Sequence, residues 1–387
     1  MAGGPPASSS ARRAPTIAEL GATSGAVLEI DLEAVAHNWR TLRARHGAGR
    51  ATAAVLKADG YGLGAAPIAK RLHAEGCRHF FTAHLAEAVA LRPHLPGAML
   101  AVLHGLGPRE VDTFLAHDLL PALGSLGEVD AWNAAAAGAG RRMPALLHID
   151  TGMNRTGITP AEARTLAAEP ARMAGTDLRF VMTHLVAADS PGNPLNAQQA
   201  AVFAEMAALF PSIPTSFANS SGLFLGDDFS SDLARPGAAL YGLNPTPDRP
   251  NPMRPVATLR ARVMQLHSVT AGEGVGYDHQ WIAPRPSRIA TLPVGYADGY
   301  HRALGKRAGG QGPEVFFGGR ACPLVGRVSM DLITVDVTDC PEVVIGSWGT
   351  LIGAEIPPDH LAGMAGTNGY EILTSLGRRF HRVYLGA

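Results

Sequence analysis

Short apolar runs alternate with longer amphipathic runs along the first part of the chain. The apolar runs have the length and bounds of buried strands, and they read TAAVLK, HFFTAH, AMLAVLH, LLPALG, PALLHID, RFVMTHL, TSFANS and GAALYG. Helical periodicity fills the spaces between them, in segments such as AAPIAKRLHAEG, EVDTFLAHD, AEARTLAAEPARMAG and AQQAAVFAEMAALF. Strands that are joined by helices pair in parallel, and eight such units are the number that closes a (β/α)8 TIM-type barrel.

A Pro-rich break, NPTPDRPNPMRP, ends this alternation, and the segments after it are mostly strand-like. At the other end, the first residues are rich in Ala, Pro, Ser and Gly and show no periodicity. The sequence therefore predicts a flexible N-terminal tail at 1–25, a barrel at 26–255 and a mostly β C-terminal domain at 256–387. The run AVLEID, at the start of the barrel segment, is predicted to be a strand.

Composition narrows the class of partner. The 387 residues contain 33 basic and 33 acidic side chains, so the formal net charge is zero. A surface that binds nucleic acid or an anionic membrane needs a basic excess, which leaves a small molecule as the expected partner. The sequence contains no run of about 18 consecutive apolar residues, which is the length that would predict a membrane span. The tail lacks the apolar core of a signal peptide, and the three cysteines show no metal-type spacing, so we expect a cytoplasmic protein.

Lysine is the rarest basic residue in this sequence, occurring only as Lys57, Lys70 and Lys306. Lys57 ends an apolar strand and precedes a Gly-rich turn, in AAVLKADGYGLG. At the carboxyl end of a barrel strand, partial desolvation lowers an amine pKa and makes the lysine a nucleophile toward an aldehyde. The structural alternative is a lysine that extends from a strand end into solvent. Lys57 is the best candidate for a Schiff-base lysine among the three.

Other polar residues follow the predicted strands and would share the same face of the barrel. Each of them alone is more often structural, but together they suit a ligand that carries a phosphate, which hydroxyl groups and Gly-rich backbone N–H groups bind well. Arg235 is predicted to lie just before the last strand, GAALYG. The set comprises Arg155, His184, Asn219, Ser220, Ser221 and Arg235, with Gly237 and Ala238 as backbone donors.

Seven segments, in this order along the chain, give a specific resemblance: AVLKADGYGLG, DTGMNRTG, ANSSG, RPGAALYG, VGYADGYHR, GRVSMD and GYEILTSLGRR. They resemble alanine racemases, and the resemblance covers residues 26–384. That family has a barrel that binds pyridoxal 5'-phosphate (PLP), followed by a β domain, and acts as a homodimer with shared active sites. The resemblance further implies that the strand at 26–31 pairs within the C-terminal domain.

The resemblance also implies a role for each matching residue. Lys57 would hold PLP and act as the base for one face of the substrate, and Tyr296 of the second copy would act on the other face. The other roles are as follows: Tyr61, Asn219, Ser220, Gly237 and Ala238 on the cofactor and its phosphate, Arg235 at the pyridine nitrogen, His184 against the ring, Arg155 and Met330 on the substrate carboxylate, and Asp331 near the entrance. The implied reaction interconverts L-alanine and D-alanine, and it would supply D-alanine for peptidoglycan.

Two positions depart from the family pattern. His148 stands where many members have a lysine that is often carbamylated, seven residues before the substrate-binding arginine. Arg378 is the residue that we match to a phosphate-binding tyrosine near the C-terminus of some members, and an arginine there could contact phosphate.

Several alternatives remain open from the sequence. A racemase of broader specificity would have the same motifs, since substrate breadth depends on the size of the pocket. A decarboxylase of this fold lacks support because its Gly-rich phosphate loop and late cysteine motif are missing. A non-catalytic PLP-binding barrel would have no second domain. A metal-dependent hydrolase has only His104 and His184 as candidate ligands, without close spacing.

Overall fold

The computed structural model describes residues 25–305 and 312–386, which form two nine-stranded sheets and a small two-stranded sheet. The predicted tail lies outside the described residues apart from Gly25, and Lys306 lies outside them as well. The first strand along the chain, β1 (Ala26–Asp31), does not belong to the barrel.

A closed parallel barrel occupies the next part of the chain. Its strands are β2 (Ala51–Thr52), β3 (Ala54–Val55), β4 (His79–Thr82), β5 (Met99–Val102), β6 (Leu120–Leu123), β7 (Met143–His148), β8 (Thr176–Met182), β9 (Thr215–Ser216) and β10 (Leu233–Ala234). β2 and β3 are two halves of one segment, and they pair with β10 and β4 respectively. That segment closes the barrel, so eight parallel strands result and the predicted (β/α)8 barrel is confirmed.

Helices cover the outside of the barrel. They are α1 (Leu32–His46), α2 (Ala65–Ala74), α3 (Leu85–Leu91), α4 (Val111–Ala116), α5 (Leu126–Ala139), α6 (Pro160–Ala168) and α7 (Pro194–Ala207). Local chemistry sets where they begin. Ser125 accepts the Glu128 N–H at 3.2 Å at the start of α5, and Thr159 and Glu162 form a capping box before Pro160 in α6. Each such cap stabilises a helix by about 1 kcal/mol.

The eighth strand is not where the apolar pattern predicted it. Strand β10 is Leu233–Ala234, whereas the run GAALYG is a 3₁₀ helix at Ala238–Tyr241. Arg235 therefore follows the last strand rather than preceding it. The run is apolar because the segment is buried on all sides, and a short buried run has the same composition in a strand and in a helix.

The second large sheet contains β1 and the strands after the Pro-rich break. These are β11 (Ala257–Arg262), β12 (Gln265–Val269), β15 (Ser287–Leu292), β16 (Glu314–Phe317), β17 (Arg320–Val325), β18 (Ile333–Asp336), β19 (Trp348–Ile352) and β20 (His381–Leu385). The small sheet pairs β13 (Gly274–Val275) with β14 (Trp281–Ile282). β1 lies between β11 and β20, antiparallel to the former and parallel to the latter. Two helices, α8 (Pro358–Ala365) and α9 (Gly369–Ser375), precede β20.

Neither a membrane span nor a metal centre is evident in the described ranges. No helix there has the length and apolar content needed to cross a bilayer. The same residues contain no group of three or more His, Cys, Asp or Glu side chains arranged to hold a metal ion.

Candidate active site

A cavity of about 380 Å³ opens at the carboxyl ends of the barrel strands. Hydrophobic side chains such as Val55, Leu103 and Leu185 contribute to its wall beside the polar groups. Nine residues that the sequence singled out line it: Lys57, Tyr61, His184, Asn219, Ser220, Ser221, Arg235, Gly237 and Ala238. The volume lies in the range of small-molecule sites.

Lys57 begins a short helical turn, Lys57–Tyr61, directly after the first barrel strand. Burial lowers the pKa of its amine, and the nearby Arg155 guanidinium lowers it further, while Glu87 acts in the opposite direction. The three residues after Lys57 have left-handed backbone angles, with φ of 55° at Ala58 and 53° at Asp59. Non-glycine residues adopt this conformation at a cost of about 1 kcal/mol or more each, so the surrounding structure must hold the turn.

A hydroxyl group and a Gly-containing turn form a cradle beside Tyr61 in the cavity wall. The Ser220 hydroxyl oxygen accepts the N–H groups of Gly237 at 3.0 Å and of Ala239 at 3.2 Å. Gly237 has no room for a side chain, because a Cβ there would overlap the Tyr61 hydroxyl. Tyr61 stacks on Tyr241 with ring centroids 4.5 Å apart, and burial raises the pKa of both phenols, so their hydroxyls stay protonated.

Arg235 is a buried cation in the floor of the cavity. Its guanidinium donates to the Ser216 hydroxyl at 2.5 Å and to the Thr183 carbonyl. Burial lowers the Arg235 pKa to about 10, so the group remains charged near neutral pH. Burial and the positive charge of Arg235 together lower the His184 pKa to about 3, which keeps that imidazole neutral.

Arg155 lies in the loop after β7 and is exposed, and Met153 of the same loop lines the cavity. The loop is folded on itself. Asp150 accepts the N–H groups of Gly152 at 2.8 Å and Met153 at 2.9 Å, and the backbone of Asp150 pairs with Ile158. These bonds fix the backbone of the loop that carries Arg155.

Tyr296 and Met330 lie together on the second sheet rather than in the cavity wall. The N–H of Ala297 donates to the Met330 carbonyl at 2.9 Å, so the two turns that carry these side chains are joined. Arg379 strengthens the junction through ion pairs to Asp298 at 3.1 Å and to Asp331 at 2.8 Å. We call Tyr296, Met330, Asp331 and Arg379 the Tyr296 face. Arg379 could not be identified as a site residue from the sequence, because its ion pairs are with residues that are distant along the chain.

Known proteins match the chain over nearly its whole length. The family model "Alanine racemase, N-terminal domain" matches residues 30–245, and "Alanine racemase, C-terminal domain" matches residues 256–384. The alanine racemase of Acidiphilium cryptum is 52% identical over 356 residues, which are 92% of this chain and 98% of the relative. The chain belongs to the alanine racemase family.

Solved structures agree with the family assignment. The alanine racemase of Bartonella henselae, whose structure has covalently bound pyridoxal phosphate, is similar with a TM-score of 0.88 and 37% identity, over 94% of this chain and 100% of that one. The Streptomyces coelicolor alanine racemase has a TM-score of 0.87 and 33% identity, over 95% and 100% of the two chains. The predicted family, fold class, PLP cofactor and racemase activity are thereby confirmed for this alanine racemase family member.

The match that placed Arg378 at a phosphate-binding tyrosine does not agree with the geometry. Arg378 lines a separate cavity beside Glu87, whereas Tyr370 of α9 lines the main cavity, with its ring edge toward Tyr61 at a centroid distance of 6.4 Å. Tyr370 is thus the C-terminal tyrosine that reaches the pocket. The sequence contained the signal, since Tyr370 lies in the motif GYEILTSLGRR eight residues before Arg378.

His148 is buried beneath the pocket at the end of β7. Burial, with the nearby Arg235 charge, lowers its pKa to about 4. A neutral imidazole there adds no charge to the loop that carries Arg155. This chain therefore has a neutral side chain at the position where many members of the family have a lysine.

Proposed function

We propose that this protein interconverts L-alanine and D-alanine, with PLP held by Lys57 in the barrel cavity and with Tyr296 of a second copy completing each site. The observation that carries the proposal is the partly buried Lys57 amine in a cavity that also contains the Ser220–Gly237 cradle and the Arg235 cation. Those groups fit the donor set that a phosphorylated pyridine aldehyde needs.

Each residue has a distinct task in this proposal. Tyr61, Ser220 and the backbone of Gly237 and Ala238 would hold the phosphate. His184 and Asn219 would complete the cofactor wall, and Tyr370 joins the pocket on the side of Tyr61. When bound, PLP stabilises negative charge at the α-carbon of an amino acid.

The protein itself must move a proton on two faces of the α-carbon. Lys57 serves one face, since its lowered pKa makes the neutral amine more available to accept a proton. Tyr296 serves the other face. Arg155 and the Met330 N–H of the second copy would bind the substrate carboxylate and hold the α-carbon between the two bases. Hydrophobic side chains such as Leu185 line the cavity in which the α-carbon would lie.

The position of Tyr296 supports a site that is shared between two copies. Tyr296 is 41% exposed and lies in the turn after β15 of the second sheet. It is absent from the cavity lining of its own chain. Tyrosine and methionine side chains exposed at adjacent turns favour contact with another surface. A homodimer with a two-fold axis would place each Tyr296 face on the cavity of the other copy.

A mixed dimer tests this arrangement. Lys57→Ala and Tyr296→Phe chains, expressed with different tags, are purified as a heterodimer and assayed for racemisation of L-alanine by chiral chromatography. Shared sites leave one intact site and one doubly altered site, so the heterodimer should recover about half of the wild-type rate. Each altered homodimer serves as a control with little activity. An inactive heterodimer would mean that Lys57 and Tyr296 must come from one chain.

Substrate breadth and cellular role complete the proposal. A panel of larger amino acids, assayed beside alanine, separates an alanine racemase from a broad-specificity racemase, since only the latter would turn over bulky side chains at similar rates. We place the protein in the cytoplasm, where it supplies D-alanine for peptidoglycan. The Mesorhizobium japonicum relative, 46% identical, is named a catabolic alanine racemase. Requirement for D-alanine after gene disruption would support the biosynthetic role, and loss of growth on alanine alone would support the catabolic one.

A further inference from the structure

The Glu87 carboxylate joins two barrel strand ends. It accepts the N–H groups of Ala83 at 2.9 Å and His84 at 3.0 Å, which is the ordinary capping arrangement at the start of α3. It also accepts the N–H of Ala58 at 2.6 Å. Ala58 belongs to the neighbouring strand end and directly follows Lys57. Capping of α3 explains the first two bonds but not the third.

The third bond fixes the backbone at the point where the chain leaves Lys57. Ala58 has a φ of 55°, and the left-handed conformation continues through Asp59 and Gly60. A turn of this kind persists only where its surroundings hold it. Its far end is held by the Asp59 carboxylate, which accepts the Ala65 N–H at 2.9 Å. Glu87 holds the near end.

Strand β20 supports the same turn from outside. Arg382 of β20 donates to the Gly62 carbonyl at 3.0 Å, and the Tyr384 hydroxyl donates to the Leu63 carbonyl at 3.1 Å. These contacts fix residues beyond the turn. Before Lys57, the Leu56 N–H donates to the Phe81 carbonyl at 2.7 Å. The bond from Ala58 to Glu87 fixes the residue directly after Lys57.

We propose that Glu87 is a positioning residue for Lys57, which sets the direction of the Lys57 side chain through the Ala58 N–H. The proposal rests on the role of Lys57 as the base for one face of the substrate. Loss of the Glu87 carboxylate would free the turn, so the Lys57 amine would reach the α-carbon less often. The step at Tyr296 would not change, because the described hydrogen bonds of the Glu87 side chain go to Ala58, Ala83 and His84 and none goes to the Tyr296 face.

The experiment uses the PLP-loaded enzyme with Glu87→Gln and Glu87→Ala. The glutamine variant keeps the size of the side chain and one acceptor oxygen, so it should fold and show the smaller effect. Glu128→Gln is the matched control, because Glu128 joins two strand ends in the same way, accepting the Gly124 N–H at 3.0 Å and the Leu106 N–H at 3.3 Å, at strand ends that do not carry Lys57.

Two readouts separate positioning from a merely structural role. Hydrogen exchange of the peptide 57–64, measured by mass spectrometry in the protein with and without PLP, should become about tenfold faster in Glu87→Ala. The second readout is the kinetic isotope effect with α-deuterated alanine. The effect should rise in the direction in which Lys57 removes the α-proton, because that step becomes slower. It should fall in the opposite direction, because the slower step there is the return of a proton by Lys57. A reduced fraction of active enzyme would leave both isotope effects unchanged.

Each result has a definite meaning. Unchanged isotope effects in both Glu87 variants, or the same shift in Glu128→Gln, would overturn the positioning role. The test of Lys57 is separate: if Lys57→Ala racemises alanine at the wild-type rate, the underlying assignment of the base fails. If Lys57→Ala is inactive and Glu87→Ala behaves as the wild type, only the proposal for Glu87 is lost.

Discussion

The barrel cavity and the Tyr296 face differ in how completely their polar groups are satisfied within one chain. Arg235 is 4% exposed and its guanidinium is bonded to Ser216 and Thr183, and Ser220 accepts two backbone N–H groups. Tyr296 and Met330 are 41% and 53% exposed. A buried network of this kind is rigid before any ligand arrives. One chain therefore contains a cavity whose polar groups are already paired, which is the proposed cofactor pocket, and a separate exposed face with the second proposed base.

Charge divides the two regions in the same way. Lys57 and Arg235 bring positive charge to the cavity, and Arg155 lies in a loop beside it. Burial, together with the charges of Arg235 and Arg155, keeps His148 and His184 neutral. The Tyr296 face instead pairs one cation, Arg379, with two carboxylates, Asp298 and Asp331, which leaves an excess of one negative charge. An excess of positive charge suits an anionic cofactor and a substrate carboxylate, whereas the face around Arg379 has no such excess.

Lys57→Ala should have the largest effect. It removes both the covalent attachment of PLP and one base, so racemisation should fall by at least about 10⁴-fold and the visible absorbance of the bound cofactor should be lost. Lys70→Ala, on the exposed side of α2, is the matched lysine control and should be unaffected. PLP that is trapped by borohydride on another lysine of the Lys57→Ala protein would show that the pocket is assigned wrongly.

Tyr296→Phe should have the next largest effect and should leave the barrel intact. Loss of one positioned proton-transfer group lowers the rate by about 10²–10⁴-fold, while PLP content and its absorbance stay at the wild-type level. Tyr277→Phe is a suitable control, since Tyr277 is 68% exposed and belongs to the same half of the chain. If Tyr296→Phe also loses PLP, the two regions are not independent.

The barrel could be predicted from the sequence because its signals are local. Each strand is a short apolar run, each connection has helical periodicity, and Lys57 follows a strand directly. The eighth strand was misplaced since burial makes the 3₁₀ segment Ala238–Tyr241 as apolar as a strand. The family resemblance supplied Tyr296. Contacts between distant segments, such as Arg379 to Asp331 and Glu87 to Ala58, leave no local pattern and required the structure.

Acidification should affect the barrel through His148. Its pKa is about 4 in the folded chain against 6.5 for the ordinary group, so the unfolded chain binds more protons between these values. Stability is therefore retained above pH 6.5 and falls as the pH is lowered toward 4, by up to about 3 kcal/mol from this group. Urea unfolding at several pH values should show a weaker dependence in His148→Gln. An identical dependence in both proteins would mean that other groups cause the acid sensitivity.

Ser220→Ala should have the smallest effect on activity. It alters the barrel cavity and leaves both proposed bases unchanged. The hydroxyl oxygen now accepts the Gly237 and Ala239 N–H groups, so its removal leaves two buried donors without their partner, at a cost of about 1–3 kcal/mol. The affinity for PLP, measured by cofactor release on dilution, should fall roughly tenfold, while the rate of the fully loaded enzyme changes little. Ser125→Ala, which removes a hydroxyl-to-backbone bond at another strand end, is the control and should keep the wild-type affinity. An equal loss in both variants would attribute the effect to barrel stability, whereas a loss confined to Ser220→Ala would assign the cradle to the phosphate.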